Sequence, residues 1–198
     1  MADDFEVRQY ICGPMEEASH LIDQGYYEEA IPKLNHCLQM ENELSSRQTI
    51  LCELGYCFLA MGWYEDAVRI FSQYLQTSPF DNDARFYLAS AYSSMRWFDE
   101  SIAELKKILA SDPTDVLTYH ALGLCYRDKG WLKDSLDMMK KAKEQSTIHG
   151  SPEETEIIDQ SLADLEKEIE KGEDDKLRAG VLLAVLLATM KRKKKKAP

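Results

Sequence analysis

Covalent or metal chemistry in this sequence would have to start from its cysteines and histidines. His36 stands beside Cys37, a pairing from which a thiolate nucleophile and its base could be drawn. Adjacent residues on a helix point about 100° apart, which separates the two side chains. Cys52 and Cys57 are five positions apart; on a helix that turns them about 140° from one another, a poor arrangement for a shared metal ion. With Cys12 and Cys125 they make an odd set without Cys-x-x-Cys spacing. The set reads as reduced, buried thiols of a cytosolic protein. His20, His120 and His149 are scattered, and there is no glycine-rich phosphate loop, Gly-x-Ser-x-Gly or His-Glu-x-x-His. The carboxylates read as solvated helix faces, not as acid–base pairs. The expectation is a protein with no catalytic residue, no metal site and no cofactor, whose activity resides in a surface.

The elements that carry this surface follow from composition and periodicity. At 198 residues, with 44% hydrophobic and 30% charged residues, the chain reads as one soluble globular domain with a sizeable core. No apolar run reaches the roughly 18–20 residues of a spanning helix, and the acidic Met1–Glu6 start is unlike a secretory signal. Only nine glycines and six prolines argue against an all-β design. The net charge of −11 hides two regions: from Lys176 onward there are eight basic residues and no acidic one, so residues 1–175 hold 16 basic and 35 acidic side chains, net −19. An acidic body repels phosphate backbones, so no nucleic acid is expected at the main domain.

The sequence repeats itself with a 34-residue period. Gly25-Tyr-Tyr-Glu-Glu-Ala30, Gly62-Trp-Tyr-Glu-Asp-Ala67, Arg96-Trp-Phe-Asp-Glu-Ser101 and Gly130-Trp-Leu-Lys-Asp-Ser135 superpose without gaps. The steps from Ala67 to Ser101 to Ser135 are 34 residues each; that from Ala30 to Ala67 is 37, which puts a three-residue insertion near Ser45–Arg47. In the second unit Leu51, Leu54, Phe58 and Met61 form one stripe of a helix. Gly62 can take the left-handed conformation that ends it, and Gly25 and Gly130 occupy the same slot. Ala67 is small where a second helix must approach closely; Val68, Phe71 and Leu75 give that helix its stripe, and Pro79 stops it. Two antiparallel helices with one apolar face left over must stack on further copies to bury it. Trp63, Trp97 and Trp131 recur at one position of the period and read as packing residues at the turn between helices, not as a ligand cage.

These units resemble tetratricopeptide repeats. The resemblance rests on Leu51, Leu54, Gly55, Phe58, Ala67, Phe71, Tyr74 and Pro79 in the second unit. In the third it rests on Arg85, Leu88, Ala89, Tyr92, Ser101, Leu105, Ile108 and Pro113. In the fourth it rests on Tyr119, Leu122, Gly123, Tyr126, Ser135, Met139 and Ala142, with Thr147 in place of the closing proline. The first matches only through Gly25, Ala30 and Leu34, with Ala18 and Leu21 where Gly and Tyr would stand and Pro32 early in its second helix. The resemblance implies an all-α, right-handed superhelical solenoid of antiparallel helix pairs, with four repeats over 11–44, 48–81, 82–115 and 116–149.

Beyond them, Ser151-Pro-Glu-Glu154 is a helix start with a capping box, and Ile158, Leu162, Leu165 and Ile169 keep one apolar stripe. This predicts a C-terminal capping helix over 151–171, ended by Gly172 and followed by an acidic linker at 173–175. Residues 177–190 are apolar on every face apart from Arg178 and Thr189, and Lys191–Lys196 are six consecutive cations. Leu182, Leu183, Leu186 and Leu187, with Lys191, Arg192, Lys193 and Lys194, are the residues of this tail with which contact is expected. Three destinations stay open: the protein's own superhelix, a membrane surface, or a partner protein including a second copy. In the first case the tail would occupy or cap the groove until displaced.

In tetratricopeptide repeats the first helix of each pair lines a concave groove, chiefly through its second, fifth, ninth and twelfth positions. Carried over, the resemblance implies a peptide-binding groove of Thr49, Cys52, Tyr56 and Leu59, then Asp83, Phe86, Ser90 and Ser93, then Leu117, His120, Leu124 and Arg127. Family members that clamp the C-terminal carboxylate of heat-shock chaperones need cationic and amide donors there, and only Arg127 qualifies. The expectation is a cytoplasmic, non-enzymatic adaptor, peripheral to a membrane if the tail anchors it, taking an apolar or amphipathic peptide or helix in its groove. A membrane-anchored structural protein and a small acidic chaperone for apolar client segments are the alternatives.

Overall fold

The computed structural model describes the backbone of residues 4–41 and 43–194 and the side chains of residues 13–41 and 43–173. Nine helices and no strand occur among the described residues: α1 (Asp4–Asp23), α2 (Tyr27–Met40), α3 (Leu44–Ala60), α4 (Tyr64–Thr77), α5 (Asn82–Ser94), α6 (Phe98–Ser111), α7 (Val116–Asp128), α8 (Leu132–His149) and α9 (Pro152–Lys194). The chain divides into two compact units, residues 1–118 and 119–198.

In the first unit successive helices pack as antiparallel pairs, α1 on α2, α3 on α4 and α5 on α6, with α2 on α3 and α4 on α5 joining them. The all-α, repeat-built architecture is therefore as the period implies. Its core holds Ala18, Leu34, Ile50, Leu54, Phe71 and Leu88, all essentially buried. At Gly55 α3 lies against Phe71 of α4, where an added Cβ would stand 2.7 Å from the ring. In the second unit Met139, Leu162 and Leu165 form a core with Leu124, Leu132, Leu136 and Ile169, so α9 lays its apolar stripe on α7 and α8. Gly123 is the equivalent crossing, and buried Ser135 satisfies its hydroxyl there by donating to the Gly123 carbonyl at 2.7 Å.

The turn inside each pair needs one residue with positive φ. Gly25, Gly62 and Gly130 take it at +79°, +74° and +75°. In the third pair Arg96 holds the same slot at +63°. A side chain in this region costs roughly 1–2 kcal/mol. The compensation is the Arg96 guanidinium over the Phe98 ring at 5.4 Å, worth about 0.5–1 kcal/mol when exposed. Arg96→Gly should therefore raise the thermal midpoint slightly. Arg96→Ala, which keeps the strained Cβ and loses the ring contact, should lower it. Differential scanning calorimetry of the two variants checks the opposite signs.

The three extra residues after the first pair become one additional turn at the start of α3, which is longer than α5 or α7. Arg47, inside that turn, uses Nη1 to donate to the carbonyls of Leu38 (2.7 Å) and Glu41 (2.8 Å). It thereby satisfies acceptors left open at the end of α2. At the later junction Asp81 caps α5 through Ala84 N–H (2.9 Å) and accepts the Tyr74 hydroxyl from α4 (2.6 Å).

One boundary differs from expectation. The capping box forms, with Ser151 N–H donating to Glu154 and Glu154 N–H to Ser151 Oγ. The helix it starts does not stop at Gly172, and the linker expected at 173–175 is helical, since α9 continues to Lys194. An interior glycine costs only about 1 kcal/mol, and the Glu, Lys, Leu, Arg and Ala around it favour helix. α1 likewise begins before residue 11, at Asp4, and both Pro14 in α1 and Pro32 in α2 lie inside continuous helices. The side chains of Leu182, Leu183, Leu186, Leu187, Lys191, Arg192, Lys193 and Lys194, and that of Cys12, lie outside the described residues.

Candidate functional site

In the first unit α3 and α5 bring the expected groove residues of the second and third repeats onto neighbouring first helices. Thr49 and Asp83 are exposed; Cys52, Leu59, Phe86, Ser90 and Ser93 are half-buried; Tyr56 is 39% exposed. Tyr56 is the middle of an aromatic run that the sequence did not reveal. Its ring lies edge-on to Tyr27 of α2 (5.9 Å) and to Tyr87 of α5 (6.2 Å), and Tyr87 stacks on Phe71 (5.5 Å). Edge-to-face pairs at this separation are favourable beyond the area they bury. The hydroxyls of Tyr27 and Tyr56 interact, and this raises the Tyr27 phenol above its ordinary value. The 34-residue step carries Tyr56 to Ser90 and Glu53 to Tyr87, so the period alone sets no ring opposite Tyr56.

Burial pushes the Cys52 thiol up, helped by the charges of Asp81, Glu53 and Asp83. Burial likewise raises Cys37, and it pushes Cys57 up to about 11. These shifts are opposite to what a thiolate nucleophile requires. His36 is exposed while Cys37 is buried, so the adjacent pair makes no dyad. Among the described residues no group of three or more His, Cys, Asp or Glu is placed to hold a metal ion.

Glu53, on α3, is the strained polar group of this region. Its Oε1 accepts from Ser19 of α1 at 3.1 Å, while its buried Oε2 has no partner. Desolvation raises its carboxyl above the ordinary value and Asp23 adds to the rise; the Ser19 bond opposes both. A raised folded-state value means that folding favours the protonated form. The associated stability is fully present below the unfolded value near 4.5 and is lost as pH rises through the folded value. Glu53→Gln should therefore match the natural chain near pH 4 and exceed it at pH 7. The expected gain is on the order of 1 kcal/mol, the low end for an unsatisfied buried polar atom. Urea titrations at pH 4, 5.5 and 7 read the difference.

The fourth repeat's residues are engaged otherwise. Leu117, in the first unit, is exposed. In the second unit His120 pairs with Ser161 of α9 at 2.9 Å, and Leu124 packs with Met139, Leu162 and Leu165. Arg127 lies 3.9 Å from Asp128. Burial, and secondarily the Arg127 charge, lower the His120 imidazole below its ordinary value. The capping helix thus covers the surface that His120 and Leu124 would otherwise offer. Their faces were legible in the sequence, but which face α9 would choose was not.

The three tryptophans do pack, Trp63 on Phe58, Trp97 on Tyr92 and Trp131 on Tyr126, each stacked at 5.8–6.0 Å. They are also 44%, 51% and 48% exposed, which a purely internal role does not require.

Stacked helix pairs with a half-exposed aromatic strip define a repeat module. Residues 58–123 match the model of the tetratricopeptide repeat family. Solved structures share the fold. MamA from Desulfovibrio magneticus RS-1 is 18% identical with a TM-score of 0.61, over 80% of this chain and 96% of that one. The type III secretion translocator chaperone SycD of Yersinia enterocolitica is 18% identical with a TM-score of 0.59, over 65% and 90%. The TPR domain of Sgt2 from Aspergillus fumigatus is 20% identical with a TM-score of 0.57, over 64% and 82%. No curated protein matches the sequence. Among the described residues no helix is long and apolar enough to cross a membrane.

Proposed function

We propose that this protein is a non-enzymatic scaffold that binds an apolar or amphipathic peptide segment across α3 and α5. The observation that carries the reading is the Tyr27–Tyr56–Tyr87 run beside half-buried Phe86 and Cys52, with Glu53, Asp81 and Asp83 around it. Rings that are half-exposed at low rotamer cost give a ligand large contact area, and the carboxylates favour basic residues flanking its apolar core. His120 and Leu124, held by α9, contribute to α9 docking, so the groove centres on the second and third repeats. A cytoplasmic place of action suits the free thiols of Cys37, Cys52, Cys57 and Cys125. The test is fluorescence anisotropy with labelled leucine- and phenylalanine-rich peptides carrying or lacking lysine flanks. Tyr56→Ala should weaken the best peptide about tenfold, equivalent to roughly 1.4 kcal/mol. Asp83→Lys should weaken only the lysine-flanked peptides. Equal affinity for the natural chain and Tyr56→Ala would exclude this groove.

A chaperone for apolar client segments is the second reading, favoured by the fold shared with the SycD chaperone. It predicts that a saturating amount of groove peptide does not block capture of a longer apolar client. A scaffold with one specific ligand would be blocked.

A further inference from the structure

Three exposed aromatic residues of the first unit stand at the turns inside the helix pairs. Tyr26, Trp63 and Trp97 each occupy the residue just before a second helix, one per repeat, and each is about half exposed. Each is followed within three residues by acids in the first turn of that helix, among them exposed Glu29, Glu65 and Glu100. The edge thus alternates an apolar ring and a negative charge in step with the repeat. Stacking on Phe58 and Tyr92 holds Trp63 and Trp97 in place and leaves their outer faces to solvent. Rings fixed in this way lose little entropy when covered.

This same chain contains the complementary pattern. Residues 177–190 are apolar on nearly every face and end in Lys191–Lys196, so the tail carries positive charge and apolar surface together, while residues 1–175 carry −19. α9 is one continuous helix to Lys194, and its stretch 174–194 runs about 30 Å beyond Glu173. Between Glu173 and Lys194 the helix keeps one direction and does not fold back along itself. We infer that the apolar–basic end of α9 of one copy docks on the Tyr26–Trp63–Trp97 edge of a second copy. Its leucines cover the rings, and its lysines face Glu29, Glu65 and Glu100.

Sedimentation velocity of the full chain over a range of concentrations tests this, with melting curves confirming that each variant folds. The natural chain should associate in a concentration-dependent, salt-sensitive way. Leu183→Gln with Leu187→Gln should abolish association, and so should Trp63→Gln with Trp97→Gln. Since tryptophan variants can unfold, a charge swap gives an independent reading. Glu65→Lys with Glu100→Lys should be monomeric, as should Lys193→Glu with Lys194→Glu, and mixing the two should restore association. A synthetic peptide of residues 177–196 should compete and shift tryptophan emission to shorter wavelength. Tyr56→Ala should leave all of this unchanged, which separates the edge from the proposed peptide groove. A chain monomeric at every concentration would overturn the inference, as would association indifferent to the charge swap. So would a tail that engages only anionic phosphatidylserine vesicles, because the occupant would then be lipid.

Discussion

Gly55→Ala is expected to cost about 1–2 kcal/mol of stability, net of the roughly 1 kcal/mol that alanine gains over glycine in helix propensity. An added methyl would stand 2.7 Å from Cζ and 2.9 Å from both Cε atoms of Phe71, closer than carbon atoms can approach. Phe71 cannot retreat. It is fully buried, flat, and stacked on the Tyr87 ring at 5.5 Å. Relief must come from separation of α3 and α4, and overpacking of a filled core costs typically 1–3 kcal/mol. The helix-propensity gain of alanine over glycine, about 1 kcal/mol in an exposed interior, is offset here. Gly123→Ala is the internal control. Its Cβ would meet Met139 at 2.9–3.0 Å, but the nearest atoms are Cε, Cγ and Sδ of a flexible side chain that can turn away. The third repeat has already made the exchange, with buried Ala89 where these glycines stand. Calorimetric melting should rank Gly55→Ala well below Gly123→Ala. If the two shifts are equal, the rigidity of Phe71 is not what sets the spacing of the second pair. The aromatic run at Tyr56 and Tyr87 would also move with Phe71, so peptide affinity in Gly55→Ala should fall with stability.

The comparison between glycines shows what the sequence makes legible. A 34-residue step is a strong signal because it superposes small residues, rings and turns together. Gly25, Gly62 and Gly130 adopt the left-handed turn that their place in the period requires, and Arg96 adopts it without being glycine. Position, more than residue type, dictates that conformation. Gly172 lacks such a position: no apolar partner helix follows it within a turn, and helix-favouring residues carry α9 onward. The placement of Cys52, Tyr56 and Phe86 on the first helices of their pairs was legible from the period. The Tyr27–Tyr56–Tyr87 run depends on how successive pairs stack, which periodicity does not specify. The loss of His120 and Leu124 to α9 depends on where a stripe of Ile158, Leu162 and Leu165 lands, and an apolar stripe does not name its acceptor. The half exposure of the tryptophans escaped for a related reason. A ring at a turn can be covered on one side and bare on the other, and sequence gives only the ring.

Arg85→Ala should be the second severe change, about 2–3 kcal/mol, although arginine is a surface residue by type. It stands where the second repeat has buried Leu51, so the third pair holds a cation where its neighbour holds a hydrocarbon. Arg85 Nη1 meets Glu104 of α6 at 2.6 Å, with the two side chains only 13% and 15% exposed. Its other amino group donates to the Pro79 carbonyl in the turn before α5. Removing one partner of a buried pair typically costs 3–5 kcal/mol, because the remaining charge stays desolvated. The cost is smaller here because Glu104 keeps Lys107 at 2.7 Å, and that lysine reaches solvent. Glu104→Ala strands the guanidinium, which retains only the Pro79 acceptor, and should cost a similar amount. The double variant has no stranded charge and should be more stable than the sum of the single losses predicts, with a coupling of at least about 1 kcal/mol. Arg85→Leu with Glu104→Leu, which restores the hydrocarbon of the second repeat, should recover most of the natural stability. Urea unfolding of the four variants decides the matter. Additive single losses would mean that the pair acts as two independent surface charges. The strong pairing geometry would then contribute nothing to holding α5 on α6.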